Sequence, residues 1–299
     1  SSQGIAYHEA LGQQNIQSKQ PMAKDSLFRI ASMTKPITAM GIMILQDEGK
    51  LSVEDPVEKY LPEFKAQLLI DSREGDKLVL KKPDRPMTLR DLLTHTSGLP
   101  GGFPPGLSDL YFKRNYNLAE ATAIQSQRPL EFAPGSKWAY CNAGIDTLGR
   151  VIEVVSGQPY EVFLTQRIFK PLGMNDTAFY PSEEQLKGLA GLYEFKDGKL
   201  NDVGFQLLGP VKGARHPIPA GGLYSTGSDY GFIGEVLYTP QDKPYLKTQA
   251  ITDITWDEDS RRSFAARQRS WRTTSGCAPW RVWSSAALSP AAGRPTSPA

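Results

Sequence analysis

The sequence predicts a mixed α/β protein of the α+β kind, in which strand-like segments near the two ends flank a mainly helical middle. Three observations carry this. Ile5 to Leu11, Gly191 to Phe195 and Leu223 to Ser225 read as short strands entered or left at turns. From about Leu51 to Met174 the chain reads as mainly helical, with the caps, apolar stripes and stops set out below. The 299 residues, 39% of them hydrophobic, can bury a sizeable core as one large domain or two lobes, and no internal repeat divides them.

Taken in order, Phe28-Arg29-Ile30-Ala31 leads into Ser32-Met33-Thr34-Lys35, and an apolar helical stretch follows at once. Pro36 suits a first helical turn, and Ile37, Met40, Gly41 and Ile44 keep the i, i+3, i+4, i+7 spacing of a buried stripe. The helix should stop near Glu48-Gly49-Lys50, where glycine can take the left-handed cap. Residues three apart at a helix start share a face, so the Lys35 ammonium can sit beside the Ser32 hydroxyl. A serine is a poor nucleophile without a base in reach. The free N–H groups and positive dipole end of the same turn favour a developing oxyanion. Ser-x-x-Lys alone is weak evidence, since roughly one match is expected by chance in a chain this long; the helix behind it is what raises it.

Thr88 with Asp91 makes a capping-box-like start, with Leu89, Leu92 and Leu93 as a short buried face, and His95 reads as a helix-end or packing residue. Gly98 to Gly106 is a Pro/Gly-rich loop. After the turn Pro134-Gly135-Ser136-Lys137-Trp138 comes Tyr140-Cys141-Asn142, then a helix with Ile145, Leu148, Ile152 and Val155 as its stripe and Gly157 as its stop. A tyrosine beside a cation can serve as a phenolate-type base, and an asparagine offers donor and acceptor to an amide or ester. Pro171 to Met174 reads as a helix stop, and Gly221-Gly222 as a close backbone approach in or beside a strand.

Together, Ser32-Met33-Thr34-Lys35 and Tyr140-Cys141-Asn142 resemble the serine β-lactamase and penicillin-binding superfamily, in the branch of class C β-lactamases, DD-peptidases and family VIII carboxylesterases. The stretches Thr88 to Leu99, Pro171 to Thr177 and Pro219 to Thr226 carry the same resemblance, in the right order, from about Tyr7 to about Leu237. The resemblance implies an antiparallel sheet flanked by helices plus a mainly helical lobe, with the site in the cleft between them. The sheet-containing lobe would be residues 1–50 and 175–250, and the helical lobe 51–174. It also implies that Ser32 attacks a carbonyl, that Lys35 and Tyr140 share the proton shuttle, and that Asn142 orients substrate and holds Lys35. Substrates would be small esters, β-lactams or D-amino acid peptides; no metal or organic cofactor is needed. In the family a first helix and strand precede this point, so the fold is expected to be incomplete at both ends.

The superfamily's third motif, Lys, His or Trp, then any small residue, then Gly, has only Thr274-Ser275-Gly276 as a counterpart, with Thr in the place of the cation or ring. Composition changes there too. Residues 1–250 hold 27 Lys+Arg against 28 Asp+Glu, whereas 261–299 hold seven Arg, no Lys and no acid, with Trp271, Trp280 and Trp283. Residues 251–299 therefore read as an aberrant Arg/Ser/Ala/Pro-rich tail, with disorder as one reading. The exchange of Lys for Arg suggests that the chain leaves the family sequence between Gln241 and Ser260, as after a shift of reading frame or a truncation. Scattered arginines in a low-complexity tail are ordinarily solvated, so no nucleic-acid partner is expected.

No stretch is long and apolar enough for a transmembrane helix, and no signal peptide is visible. The chain reads as soluble, with cytoplasm, periplasm and oligomeric state left open. Cys141 and Cys277 make no disulfide framework, and Cys141 is expected to be a free thiol beside the site. The leading function is a serine hydrolase forming an acyl-enzyme on Ser32. The alternative is a catalytically impaired relative acting as ligand binder or scaffold. A conventional histidine base at His8, His95 or His216 ranks low, because no Gly-x-Ser-x-Gly elbow exists.

Overall fold

The computed structural model of the chain describes residues 7–102, 113–203 and 210–238, all within one compact unit, Ser1–Thr255. Ile5, Ala6, the loop beyond Gly102, Thr274-Ser275-Gly276 and the whole 251–299 tail lie outside the described residues.

The strand expected over Ile5 to Leu11 is displaced. Residues 7–11 form none, Tyr7 and Leu11 are 77% and 79% exposed, and pairing starts only after the left-handed turn at Gly12 (φ 82°). Without a neighbour to bury its apolar side chains an extended segment gains nothing from pairing. Strand β1 (Gln13–Asn15) instead pairs antiparallel with β2 (Gln20–Pro21). Strand β3 (Phe28–Arg29) then leads through a 3₁₀ turn (Ala31–Met33) into helix α1 (Thr34–Asp47).

Helix α1 is the hub of the core. The sequence pattern assigns it one buried stripe, yet Ile37, Met40, Ile42, Met43 and Leu45 are all wholly buried, because neighbours surround it. Burying each such side chain contributes about 1.5–3 kcal/mol. Gly49, at φ 70°, follows the helix end as expected. Beyond it lies a hairpin, β4 (Leu69–Glu74) with β5 (Lys77–Lys81), inside the stretch that reads as mainly helical. Its signal, overlooked at the level of pattern, is Glu74-Gly75-Asp76 between apolar runs, with Gly75 at φ 61°.

Helix α2 (Leu89–Leu93) starts with the expected capping box: the Thr88 side chain accepts from the Asp91 N–H (3.3 Å), and Asp91 Oδ2 accepts from the Thr88 N–H (2.9 Å). Helix α3 (Leu118–Ser126) is capped in the same way by Asn117 and Glu120. Helix α4 (Asn142–Ser156) buries Ile145, Leu148 and Ile152 and ends at Gly157 (φ 70°), as its stripe and stop predict. It packs against α1, α2 and α3 and against α5 (Tyr160–Leu164), which continues through a π turn (Thr165–Phe169) and ends at Gly173, φ 69°. A Cβ on Gly41 of α1 would lie 2.8 Å from Ile152 Cδ1, so glycine sets the closeness of the α1–α4 crossing.

After α6 (Glu183–Lys187) come the hairpin β6 (Tyr193–Lys196) and β7 (Lys199–Asp202), then β8 (Tyr224–Ser225) and α7 (Gly227–Tyr238). Among the described residues the strands form four two-stranded antiparallel pairs. The β3–β8 pair, Phe28 opposite Ser225 and Arg29 opposite Tyr224, matters most for the site. It brings the 217–223 loop onto the start of α1.

Candidate active site

Ser32 lies in the 3₁₀ turn ahead of α1. Its predecessor Ala31 is held at φ 46°, a strained setting for a residue with a Cβ. The surroundings enforce it: Thr34 Oγ1 donates to Ala31 O (2.8 Å), the Ile30 N–H donates to Leu223 O (3.1 Å), and the Tyr230 hydroxyl donates to Met33 O (3.0 Å).

Two side chains converge on the Ser32 hydroxyl. Lys35 Nζ donates to Oγ at 3.1 Å and the Tyr140 hydroxyl donates to it at 2.7 Å. Lys35 is 8% exposed, and its ammonium lies over the Tyr140 ring, 4.7 Å from the centroid. Its second hydrogen bond, at 2.6 Å, goes to the carbonyl of Ala220. Among the described residues Lys35 is thus held by a main-chain carbonyl as well as by Ser32. Asn142 itself is the first residue of α4, half-buried, two positions from Tyr140.

The Ala220 carbonyl is in turn fixed from behind. The Ala220 N–H donates to Oδ1 of buried Asp146 in α4 (2.8 Å), Thr38 Oγ1 donates to Pro219 O (2.8 Å), and the Leu223 N–H donates to Thr34 Oγ1 (3.2 Å). A Cβ on Gly222 would lie 2.0 Å from the Pro217 carbonyl oxygen, which is the close backbone approach the paired glycines predict. A main-chain acceptor such as Ala220 O leaves no trace in the side-chain pattern; Gly221-Gly222 was its one available signal.

Tyr140 is 46% exposed and so depends on its flanks. His95, just past α2 with φ 60°, accepts the Ala139 N–H on its carbonyl (2.9 Å) and the Cys141 N–H on Nδ1 (3.2 Å). Burial first, and the nearby Lys35 ammonium second, push its imidazole down to about 4, so it is neutral at pH 7 with its proton on Nε2. Cys141 is a free, buried thiol; burial pushes it up to about 11, which leaves it un-ionised and unreactive at neutral pH.

Among the described residues the Ser32 hydroxyl bonds to Lys35 and Tyr140 and to no histidine; His216 is wholly buried. No three His, Cys, Asp or Glu side chains there are grouped as a metal site. A cavity of about 560 Å³, lined by residues such as Phe64, Leu68, Met87 and Leu130, shares no residue with the site.

A serine at a helix start with a lysine and a tyrosine both within hydrogen-bond reach of its oxygen is a candidate nucleophile. A sequence model of the beta-lactamase family matches residues 2–276, and the chain belongs to that family. The match takes in the stretch between Gln241 and Ser260 and reaches Thr274-Ser275-Gly276. Esterase EstB from Burkholderia gladioli is 36% identical over 190 residues, which cover 60% of this chain and 45% of that protein. The D-alanyl-D-alanine-carboxypeptidase/endopeptidase AmpH from Escherichia coli (strain K12) is 32% identical over 205 residues, 69% of this chain and 47% of AmpH. Among solved structures, EstCE1, a hydrolase with promiscuous acyltransferase activity, aligns with a TM-score of 0.69 at 25% identity, over 82% of this chain and 67% of that one. The fold is thus β-lactamase/transpeptidase-like, and the family is one of serine hydrolases. The chain spans between 36% and 66% of the length of the curated relatives it matches first.

Proposed function

We propose that this chain is a serine hydrolase that forms an acyl-enzyme on Ser32 with small esters or β-lactams, esters being favoured by the relatives named as esterases. The observation that carries the reading is the double hydrogen bond to Ser32 Oγ, from Lys35 Nζ at 3.1 Å and the Tyr140 hydroxyl at 2.7 Å. For the attack Tyr140 must be in its phenolate form beside the Lys35 ammonium; as Oγ bonds to the substrate carbonyl its proton passes to the phenolate, which hands it to the departing alcohol or amine. Water then enters by the reverse route, breaks the acyl–Oγ bond and returns the proton to Oγ. The Ser32 N–H supplies one donor for the tetrahedral oxyanion. Asn142, two residues from Tyr140, orients the carbonyl substituent.

The test is intact-mass spectrometry of the full chain after exposure to a fluorophosphonate and, separately, to a penicillin, beside Ser32→Ala. An adduct on the wild type that is absent from the variant is expected, and its lifetime separates turnover from penicillin binding. A folded wild type that takes up neither reagent defeats the proposal in favour of an inactive, ligand-binding relative.

A further inference from the structure

Tyr140 contributes the shorter of the two hydrogen bonds at Ser32 while nearly half its surface faces solvent, so something must hold its ring in place. Around it, one residue recurs. His95 grips the segment carrying Tyr140 on both sides: its carbonyl accepts the Ala139 N–H at 2.9 Å and its Nδ1 accepts the Cys141 N–H at 3.2 Å. Its ring lies against the Tyr140 ring, 4.7 Å between centroids with a 35° tilt, and meets Trp138 edge-on at 6.0 Å and 81°. His95 is only 8% exposed and sits at φ 60°, an unfavourable backbone setting held in place by these contacts. We propose that His95 is a positioning residue for Tyr140, setting the phenol hydroxyl against Ser32 through the Cys141 N–H···Nδ1 bond and the ring contact.

The device needs Nδ1 as an acceptor. A doubly protonated imidazole would present a donor to the Cys141 N–H and lose that bond. Burial first and the Lys35 ammonium from α1 second keep the ring neutral, and the other groups that face it are the Cys141 main chain and the rings of Tyr140 and Trp138. The same Lys35 that bonds to Ser32 thus also guards the acceptor state of the residue that sets Tyr140.

This inference rests on the reading of Ser32 as the nucleophile, and its test has one arm that does not. In the first arm, the rate of Ser32 phosphonylation by a fluorophosphonate is measured for His95→Ala, His95→Asn and His95→Gln, each in the wild-type and Tyr140→Phe backgrounds. Asn places an oxygen where Nδ1 stood and tolerates the left-handed backbone; Gln moves that oxygen one carbon further out. The expected result is that H95A and H95Q react about tenfold or more slowly than wild type, that H95N recovers most of the rate, and that none slows Y140F further. Effects that multiply with Y140F, or an H95N as slow as H95Q, overturn the proposal; the Asn–Gln pair decides the matter should H95A not fold. In the second arm, crystal structures of H95N and H95Q are compared. The 2.7 Å Tyr140–Ser32 contact should persist in H95N and be lost in H95Q. If Tyr140 is unmoved in both, the proposal fails whatever the activity. If the wild type is never phosphonylated, the function reading falls and this second arm alone decides.

Discussion

At the scale of the residue, Ser32 is unusual in that its two partners arrive from different parts of the chain and bring different chemistry. Lys35 comes from the same helix start and is buried; Tyr140 comes from 108 positions away and is half-exposed. Removing the amine in Lys35→Ala takes away both the Ser32 contact and the ammonium over the Tyr140 ring. Acylation by a p-nitrophenyl ester or a fluorophosphonate is expected to slow by about 10²–10⁴. Tyr140→Phe keeps the ring against His95 and loses only the hydroxyl, so it should slow acylation by about 10² or more with little change in thermal stability. Single-turnover rates and melting curves on the same preparations check both. An unchanged rate in Y140F would remove the phenol from the proton path.

At the scale of the element, the site depends on how closely α4 approaches the 217–223 loop. A Cβ on Gly149 would lie 2.3 Å from Pro219 Cγ and 2.9 Å from its Cβ, and a proline ring has little freedom to yield. Gly149→Ala should therefore push Pro219 and Ala220 away from α1, costing about 1–3 kcal/mol and slowing acylation as the Ala220 carbonyl leaves Lys35. Gly157→Ala is the matched control. Nothing lies within 4 Å of its Cβ position, and its φ of 70° makes alanine cost about 1–2 kcal/mol. Both variants should melt earlier in calorimetry, while only G149A loses activity. Equal activities would mean that the loop is not set by this contact. Asp91 of the α2 capping box belongs to the same scale, since its carbonyl accepts the Thr96 N–H (2.8 Å) next to His95.

Across the whole molecule, two buried histidines tie stability to pH. Burial first pushes both His95 and His216 down to about 4, helped by Lys35 for one and by Arg114 for the other. An unfolded histidine takes its proton near pH 6.5. Between about pH 6.5 and 4 the unfolded chain thus binds protons that the folded chain refuses, and each histidine destabilises the fold progressively as pH falls through that window. Burial pushes Asp91 up, but hydrogen bonds from Arg85 and Thr88 outweigh it and hold this carboxylate below its usual range. Its contribution is present above pH 4 and lost below. For these two histidines the unfolding free energy measured in urea should consequently fall from pH 7 to pH 5, the raised carboxyls of Glu161 and Asp229 opposing that fall, and the profile should be shallower in His95→Asn. An identical slope in wild type and His95→Asn would show that the His95 ring takes up its proton as readily in the folded chain as in the unfolded one.

Local chemistry was legible in the sequence. Short-range rules set the α1 and α4 stripes, the glycine stops at Gly49 and Gly157, the capping box at Thr88 and Asp91, and the Ser32–Lys35 spacing, because each depends on residues within a turn or two of one another. Tyr140 could be nominated but not placed, since the reach between it and Ser32 is closed only when α4 packs on α1. The strand expected at Ile5 to Leu11 and the unexpected β4–β5 hairpin err for the same reason: a strand exists only where a partner does. Ala220 O was signalled only indirectly, by Gly221-Gly222, and Asp146 and the grip of His95 on residues 139–141 left no signal, being contacts across more than 40 positions. Residue types and short-range spacing set which groups could do chemistry here and the helices that carry them. Tertiary structure alone decided which of those groups meet, because packing brings the 217–223 loop, the end of α2 and the start of α4 around one serine hydroxyl.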